Sequence, residues 1–129
     1  MNEMERIARD NHKMGNNCSA SLALAFADQM GLTGEEAKAI VPAPRSIDGM
    51  CGGYLSVIAM LRKLGIDKEE EYKEMFLEKN GSLFCRELIA SRAGTGRTCN
   101  DIVGDSAAML DELIRYNSAY NVIYTRYTA

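Results

Sequence analysis

The 129-residue chain contains four cysteines, and their thiols are the side chains best suited to chemistry. They are Cys18, Cys51, Cys85 and Cys99, separated by 33, 34 and 14 residues. These spacings contain no Cys-x-x-Cys pair, the local pattern common in zinc and ferredoxin sites. Any shared site must therefore be assembled by the fold, from thiols that are distant in the sequence.

Each cysteine falls within about the first turn of a predicted helix. Unpaired N–H groups and the helix dipole make a helix N-terminus locally positive, which stabilises a thiolate and lowers its pKa. The thiolate is the form that attacks disulfides and binds metals. Each cysteine also begins an apolar stripe, as Cys18 does with Leu22, so all four thiols are expected to point inward. If the helix starts converge, the thiols form one redox or metal-binding site.

The same positions have a simpler interpretation. A free cysteine is a small and commonly buried residue, which suits any core position. A strictly alternating bundle would also place some helix starts at opposite ends, and a crossover such as the 41–49 loop would be needed to bring them together. A shared site and a helical interaction module with inert buried cysteines therefore both remain open.

Helical signals dominate the chain, and one core suits its length, so we predict an all-α fold. The prediction is a compact single-domain bundle of about five to seven helices over residues 1–129. Loops are expected at 41–49, which contains two prolines, and at the glycine-containing segment 93–97. Capping residues and terminal glycines place the helices at 3–13, 17–30, 33 to about 40, 50–64, 68–79, 82–92 and from 98 onward.

The C-terminal tail supports two interpretations. Tyr116, Tyr120 and Tyr124 repeat every fourth residue, so a continued helix would carry an aromatic face that could join two copies of the chain. The β-branched residues within 117–129 favour a short extended or frayed end instead.

Composition excludes several classes of protein. With 47% apolar and 26% charged residues the chain is an ordinary globular protein, and its net charge of −3 with dispersed Lys and Arg argues against nucleic-acid binding. No apolar run is long enough for membrane insertion. The N-terminal segment lacks the apolar region of a secretory signal, so the expected location is cytoplasmic, where cysteines serve metal or redox chemistry more often than structural disulfides.

Few other residues suggest chemistry. His12 is the only histidine and lies in a polar stretch, which is typical of a solvated side chain. Arg86 beside Cys85, and Arg97 near Cys99, could stabilise a thiolate or the charge of a cluster, although solvated surface arginine is the more ordinary interpretation. Nucleophile-elbow, Walker and Rossmann patterns are missing from the sequence, which therefore assigns no reaction.

Four segments together resemble a redox-active four-cysteine family, the C_GCAxxG_C_C family, whose motif is Cys-Gly-Ala-x-x-Gly. The resemblance covers most of the chain. Its segments are Asn17-Cys18 before a small, apolar helix, Cys51-Gly52-Gly53-Tyr54-Leu55-Ser56 at the motif, Phe84-Cys85-Arg86-Glu87-Leu88, and Cys99 before a helix rich in Ala and Leu.

Two motif positions differ from the family. Gly53 stands where the family has Ala, and Ser56 stands where it has the closing Gly. Both residues are small, so another backbone or a cluster could still come close to the start of this helix.

The resemblance implies a redox role without naming a substrate. A similar four-cysteine unit holds an iron–sulfur cluster beside the haem domains of split-Soret cytochromes. By this resemblance an oxidoreductase or other electron-transfer partner is expected, and the cofactor is an iron–sulfur cluster, with zinc or none as alternatives. The residues expected to bind it are Cys18, Cys51, Cys85 and Cys99, with Gly52 and Gly53 beside them.

A second chemistry needs only two of the thiols. A thiol–disulfide protein or redox switch would use one pair, and Cys85 with Cys99 is the closest pair in sequence.

Overall fold

The computed structural model describes residues 2–41 and 49–128, with side chains described as far as residue 117. Within these ranges the chain forms eight helices and no strand, which confirms the all-α prediction. The helices are α1 Glu3–Lys13, α2 Cys18–Met30, α3 Gly34–Ile40, α4 Gly52–Leu64, α5 Glu69–Asn80, α6 Cys85–Ala90, α7 Arg92–Thr95 and α8 Cys99–Thr128.

The count of eight exceeds the predicted five to seven because α7 lies within the segment predicted as a loop. Thr95 N donates to Ser91 O at 3.1 Å, and Gly96 N donates to Arg92 O at 2.8 Å, which closes a single helical turn. Gly96 then ends the turn with a φ of 69°. A turn this short has too few residues to show a helical period.

The predicted caps account for the boundaries of α2 and α3. Asn17 Oδ1 accepts a hydrogen bond from Ala20 N at 2.8 Å, and Gly31 ends α2 in the left-handed conformation, where glycine carries no Cβ penalty. Thr33 and Glu36 form the reciprocal capping box of α3. Local chemistry therefore fixes where these helices begin and end.

The core lies where α8 packs against α1, α2, α4 and α5, and where α2 packs against α1, α3 and α4. An aromatic group sits between α4 and α5, with Tyr54 stacked on Tyr72 and Phe76 edge-on to both. The fully buried side chains include Leu22, Phe26, Val57, Met60, Leu61, Tyr72, Phe76, Val103 and Leu110.

The backbone of the tail is helical as far as Thr128, as the continued-helix interpretation expects. Tyr116 is 60% exposed, and the Lys68 amine lies 5.3 Å from its ring centroid. The side chains of Tyr120 and Tyr124, and residues 42–48 of the expected crossover loop, lie outside the described residues. Among the described helices, none has the length and apolar character needed to cross a membrane.

Candidate functional site

All four cysteines line one cavity, whose volume is about 440 Å³. Cys18, Cys85 and Cys99 are the first residues of α2, α6 and α8, and Cys51 immediately precedes α4. All four are free thiols. The four helix starts therefore converge, as a shared site requires.

A short backbone pairing brings Cys51 and Cys85 to the same side of the cavity. Met50 and Phe84 form an isolated antiparallel bridge, and Cys51 N donates to Leu83 O at 2.7 Å. This pairing keeps Phe84 extended and residues 82–84 outside the helix. The helix expected from residue 82 therefore begins at Cys85, which becomes its first residue.

Two serine hydroxyls join the starts of α2 and α4. Ser19 Oγ donates to Gly52 O at 2.9 Å, and Ser56 Oγ donates to Ser19 O at 3.1 Å. All three residues of this contact are small, so the two helix starts, and with them Cys18 and Cys51, approach closely. The small motif residues thus allow the backbone of α2 to approach the start of α4 closely. Close approach of a backbone or of a cluster is what the small residues were expected to allow.

The two motif glycines differ in the space around them. Gly52 lines the cavity, and an added Cβ there would lie 3.0 Å from Ser19 Oγ. Gly53 is buried behind Cys51, and its added Cβ would make ordinary contacts of 3.6 Å with Leu22 Cδ1 and 3.7 Å with Cys51 Sγ. The alanine that the family has at position 53 would therefore fit here, whereas a Cβ at position 52 would displace the Ser19 hydroxyl.

We expect Gly52→Ala and Gly53→Ala to change stability in opposite directions. Gly52→Ala pushes against the Ser19 hydroxyl that holds α2 to α4, and should lower the free energy of unfolding by about 1–3 kcal/mol. Gly53→Ala fits without a clash and restricts the unfolded chain, so it should raise that energy by about 0.4–1 kcal/mol. Urea unfolding of the cluster-free, reduced proteins measures both, and equal effects of the two changes would show that the spacing around Gly52 is not limiting.

Cys99 lies beside both Arg92 and Cys18. The Arg92 guanidinium donates to Cys99 Sγ through Nη2, and Cys99 is the cysteine that contributes most to the raised pKa of Cys18. Burial, reinforced by the charges of Cys99 and Cys51, raises the pKa of Cys18 to about 12. Cys18 therefore keeps its proton at neutral pH, and the Cys99 sulfur accepts from Arg92.

The helix-start argument for low thiol pKa values fails at two cysteines. At Cys51 burial raises the pKa, and the backbone N–H groups of Tyr54 and Gly53 offset only part of this rise. At Cys18 burial is again the largest cause. Desolvation disfavours the charged thiolate more than the amides at the helix start favour it. Without a bound cation, these two sulfurs hold their protons.

The expectation that all four thiols point inward is wrong for Cys85. Cys51 is 6% exposed and Cys18 and Cys99 are partly buried, whereas Cys85 is exposed. Helix α6 has only six residues, and Phe84 and Ile89 beside it are 42% and 50% exposed. Cys85 therefore marks the mouth of the cavity.

Among the arginines, Arg92 rather than Arg86 or Arg97 contacts a cysteine. Arg97 pairs with Asp105 and donates to Asn80 Oδ1 at 2.9 Å, and Arg86 lines a separate surface pocket. The one-turn α7 turns Arg92 back toward Cys99, seven residues later in the chain. A single turn is too short to show a helical period in the sequence. The contact between Arg92 and Cys99 could therefore not be predicted.

His12 also lines the cavity, although the sequence indicated a solvated side chain. Its Nδ1 lies 3.2 Å from Asn100 Nδ2, at the start of α8. The packing of α1 on α8 brings it there. The sequence of α1 is typical of a polar surface helix, so it does not predict that His12 lines the cavity.

The residues that could hold a cofactor are the four thiols around the cavity. Four sulfur donors suit an iron–sulfur cluster, and the Arg92 guanidinium supplies a positive charge beside one of them. In the part of the chain that the structure describes, no three His, Cys, Asp or Glu side chains form a group that could hold a metal ion.

Comparison with known proteins identifies one family. Residues 16–113 match the model of the family described as "Putative redox-active protein (C_GCAxxG_C_C)". No curated protein and no solved structure matched the chain. The family match covers about three quarters of the sequence and includes all four cysteines on the cavity. The chain therefore belongs to the C_GCAxxG_C_C four-cysteine family.

Proposed function

We propose that this protein is an electron-transfer protein in which Cys18, Cys51, Cys85 and Cys99 ligate one iron–sulfur cluster. The observation that carries the proposal is that all four cysteines line one 440 Å³ cavity. Four thiolates are the ligand set that the common iron–sulfur clusters use.

The number of sulfur donors and the size of the cavity support a cluster over a single zinc ion. Zinc–sulfur bonds are about 2.3 Å long, so tetrahedral zinc needs its sulfurs within roughly 4 Å of one another. A cluster distributes four thiolates over several irons and so needs a larger space. The cavity volume is consistent with the larger group.

The residues around the cavity would shape the chemistry of a bound cluster. Such a cluster supplies one-electron redox chemistry. Leu88 and Ile102 give the cavity apolar walls that limit water, and Arg92 donates to the sulfur of Cys99. Apolar burial and N–H donors to sulfur are established determinants of cluster potential. Because Cys18 and Cys51 have raised pKa values, their protons must leave when iron binds.

The exposed mouth is the place where an electron-transfer partner would dock. Cys85 is exposed there, next to the exposed apolar side chains of Phe84 and Ile89. A partner oxidoreductase that covers these side chains would approach the cavity contents closely without entering the fold.

Anaerobic reconstitution tests the proposal directly. Reduced protein is incubated with ferrous iron and sulfide, desalted, and analysed for iron, sulfide and visible absorption. We expect bound iron and sulfide with an absorption that bleaches on reduction, and none in a variant with all four cysteines replaced by serine. A colourless, iron-free wild-type protein after reconstitution would overturn the proposal, as would a product that holds zinc alone.

The proximity of two thiols supports a second candidate function, thiol–disulfide exchange. Among the cysteines, Cys99 contributes most to the raised pKa of Cys18, which favours Cys18 with Cys99 over the pair Cys85 with Cys99 that is closest in sequence. Attack of the Cys99 thiolate on a disulfide substrate would release one substrate thiol and leave a mixed disulfide. Attack by Cys18 would then release the second thiol and leave a Cys18–Cys99 disulfide.

Mass spectrometry after differential alkylation separates this candidate from the first. A thiol–disulfide protein should show one reversible pair, Cys18 with Cys99, and should hold no iron. Four equally unreactive thiols would contradict the exchange function. Unreactive thiols in an iron-free protein would leave the interpretation of a helical interaction module.

A further inference from the structure

Resting on the proposed function, we infer that His12 is a fixed hydrogen-bond donor to the group bound in the four-thiol cavity. Asn100 holds its ring in one tautomer, and Arg9 holds Asn100. The inference starts from the position of His12 on the cavity and from the contacts of its Nδ1.

The orientation of the Asn100 side chain is fixed by two bonds to Arg9. Asn100 Oδ1 accepts from Arg9 Nη1 at 3.2 Å, and Asn100 Nδ2 donates to the Arg9 carbonyl oxygen at 3.1 Å. A flipped amide would place its NH₂ group against the guanidinium and its oxygen against the carbonyl. Only the observed orientation satisfies both partners.

Asn100 in turn fixes the tautomer of His12. Its Nδ2 lies 3.2 Å from His12 Nδ1, and an amide nitrogen can only donate. His12 Nδ1 must therefore accept, which means that the neutral ring carries its proton on Nε2. His12 lines the cavity, so we assign Nε2–H as the donor that it offers to the cavity contents.

Arg9 is itself held in place from several sides. It pairs with Glu5 at 3.0 Å and with Asp101 at 2.9 Å. It also lies over Gly104, where any added Cβ would overlap the guanidinium group. The small residue on α8 thus makes room for the arginine that orients Asn100.

His12 and Arg92 would then supply two N–H donors to one sulfur-lined cavity. Donors of this kind stabilise the more negative, reduced form of a cluster and raise its potential. His12 is in this sense a positioning and tuning residue, and it is not a ligand.

Nitrogen-15 NMR of the cluster-free, reduced and tag-free protein tests the tautomer. His12 is the only histidine, so its two ring nitrogens give the only imidazole signals. At about pH 8 we expect the signals of the Nε2–H tautomer. In Asn100→Asp the carboxylate can only accept, so Nδ1 should become protonated. Asn80→Asp, which makes the same change beside Arg97, should leave the tautomer unchanged.

Redox titration of the reconstituted protein tests the consequence. His12→Phe keeps an aromatic ring and removes the donor. We expect the equilibrium constant for reduction to fall by about tenfold, which is about 59 mV for a one-electron couple. Asn100→Asp should lower the potential in the same direction, and Asn80→Asp should not.

The results separate the two proposals. An Nδ1–H tautomer in the wild type, or an unchanged tautomer in Asn100→Asp, overturns the inference whether or not iron binds. An unchanged potential in His12→Phe, at wild-type iron content, overturns donation to the cluster. Failure of the wild type to assemble any cluster counts against the proposed function, while the tautomer experiment still decides the role assigned to Asn100.

Discussion

We expect an added small thiol to restore assembly of the proposed cluster in Cys85→Ala but not in Cys51→Ala. This result is expected because the two proposed ligands differ in their access to solvent. Cys85 is exposed at the mouth of the cavity, so a free thiol such as 2-mercaptoethanol can reach the vacant ligand position. Cys51 is 6% exposed and its amide is bonded to Leu83, so the vacancy left there is closed.

The measurement is bound iron and sulfide after anaerobic reconstitution, with and without the added thiol. Loss of even an outer-shell partner costs about 10–100-fold in metal affinity, so loss of a ligand should reduce bound iron to the background of the four-serine variant. Circular dichroism of both variants checks that the helices are retained. Equal recovery of bound iron in the two variants would contradict the inference that added thiol reaches position 85 but not position 51. Full iron binding by Cys85→Ala without any thiol would remove Cys85 from the ligand set.

The cysteine positions could be predicted from local sequence, whereas their convergence could not. Caps and terminal glycines such as Asn17 and Gly65 act within one turn of a helix, so the sequence locates helix boundaries well. Convergence depends on tertiary contacts, chiefly the Met50–Phe84 bridge and the Ser19–Gly52 hydrogen bond. Both join residues more than thirty positions apart, where neither capping nor periodicity carries information.

The thiol pKa values show how burial can reverse a local argument. A helix start favours a thiolate, and this effect depends only on the local backbone. Desolvation depends on everything packed around the sulfur, and at Cys18 it dominates. The local rule is therefore sound, but the tertiary surroundings determine the direction of the shift.

Arg92 and His12 were not predicted as cavity residues, and the reason is the same for both. Arg92 reaches Cys99 through the one-turn α7, and His12 reaches the cavity from the polar helix α1. Neither residue lies in the motif or on an apolar stripe. A short turn and a polar helix are the two kinds of element in which hydrophobic periodicity gives the weakest signal.

The second large effect concerns the aromatic group that supports α4 behind Cys51. Tyr72 is fully buried, stacks on Tyr54 with centroids 5.3 Å apart and meets Phe76 edge-on at 6.1 Å. Tyr72→Ala removes this packing and leaves a large cavity, so the free energy of unfolding should fall by about 3–5 kcal/mol. Urea unfolding of the cluster-free, reduced protein measures this loss.

Removal of the Tyr72 hydroxyl alone should leave the free energy of unfolding almost unchanged. Burial raises the Tyr72 pKa well above its ordinary value, so the hydroxyl remains neutral. Ser106 is close enough to affect the Tyr72 pKa, yet within the described residues neither hydroxyl has a partner in hydrogen-bonding geometry. A buried hydroxyl without a partner costs folding energy, so Tyr72→Phe should change stability by less than about 1 kcal/mol or increase it. A loss of more than about 1 kcal/mol in Tyr72→Phe, absent in Tyr54→Phe, would instead establish a hydrogen bond between Tyr72 and Ser106. The ring of Tyr72, and not its hydroxyl, is therefore what holds α5 against the helix that follows Cys51.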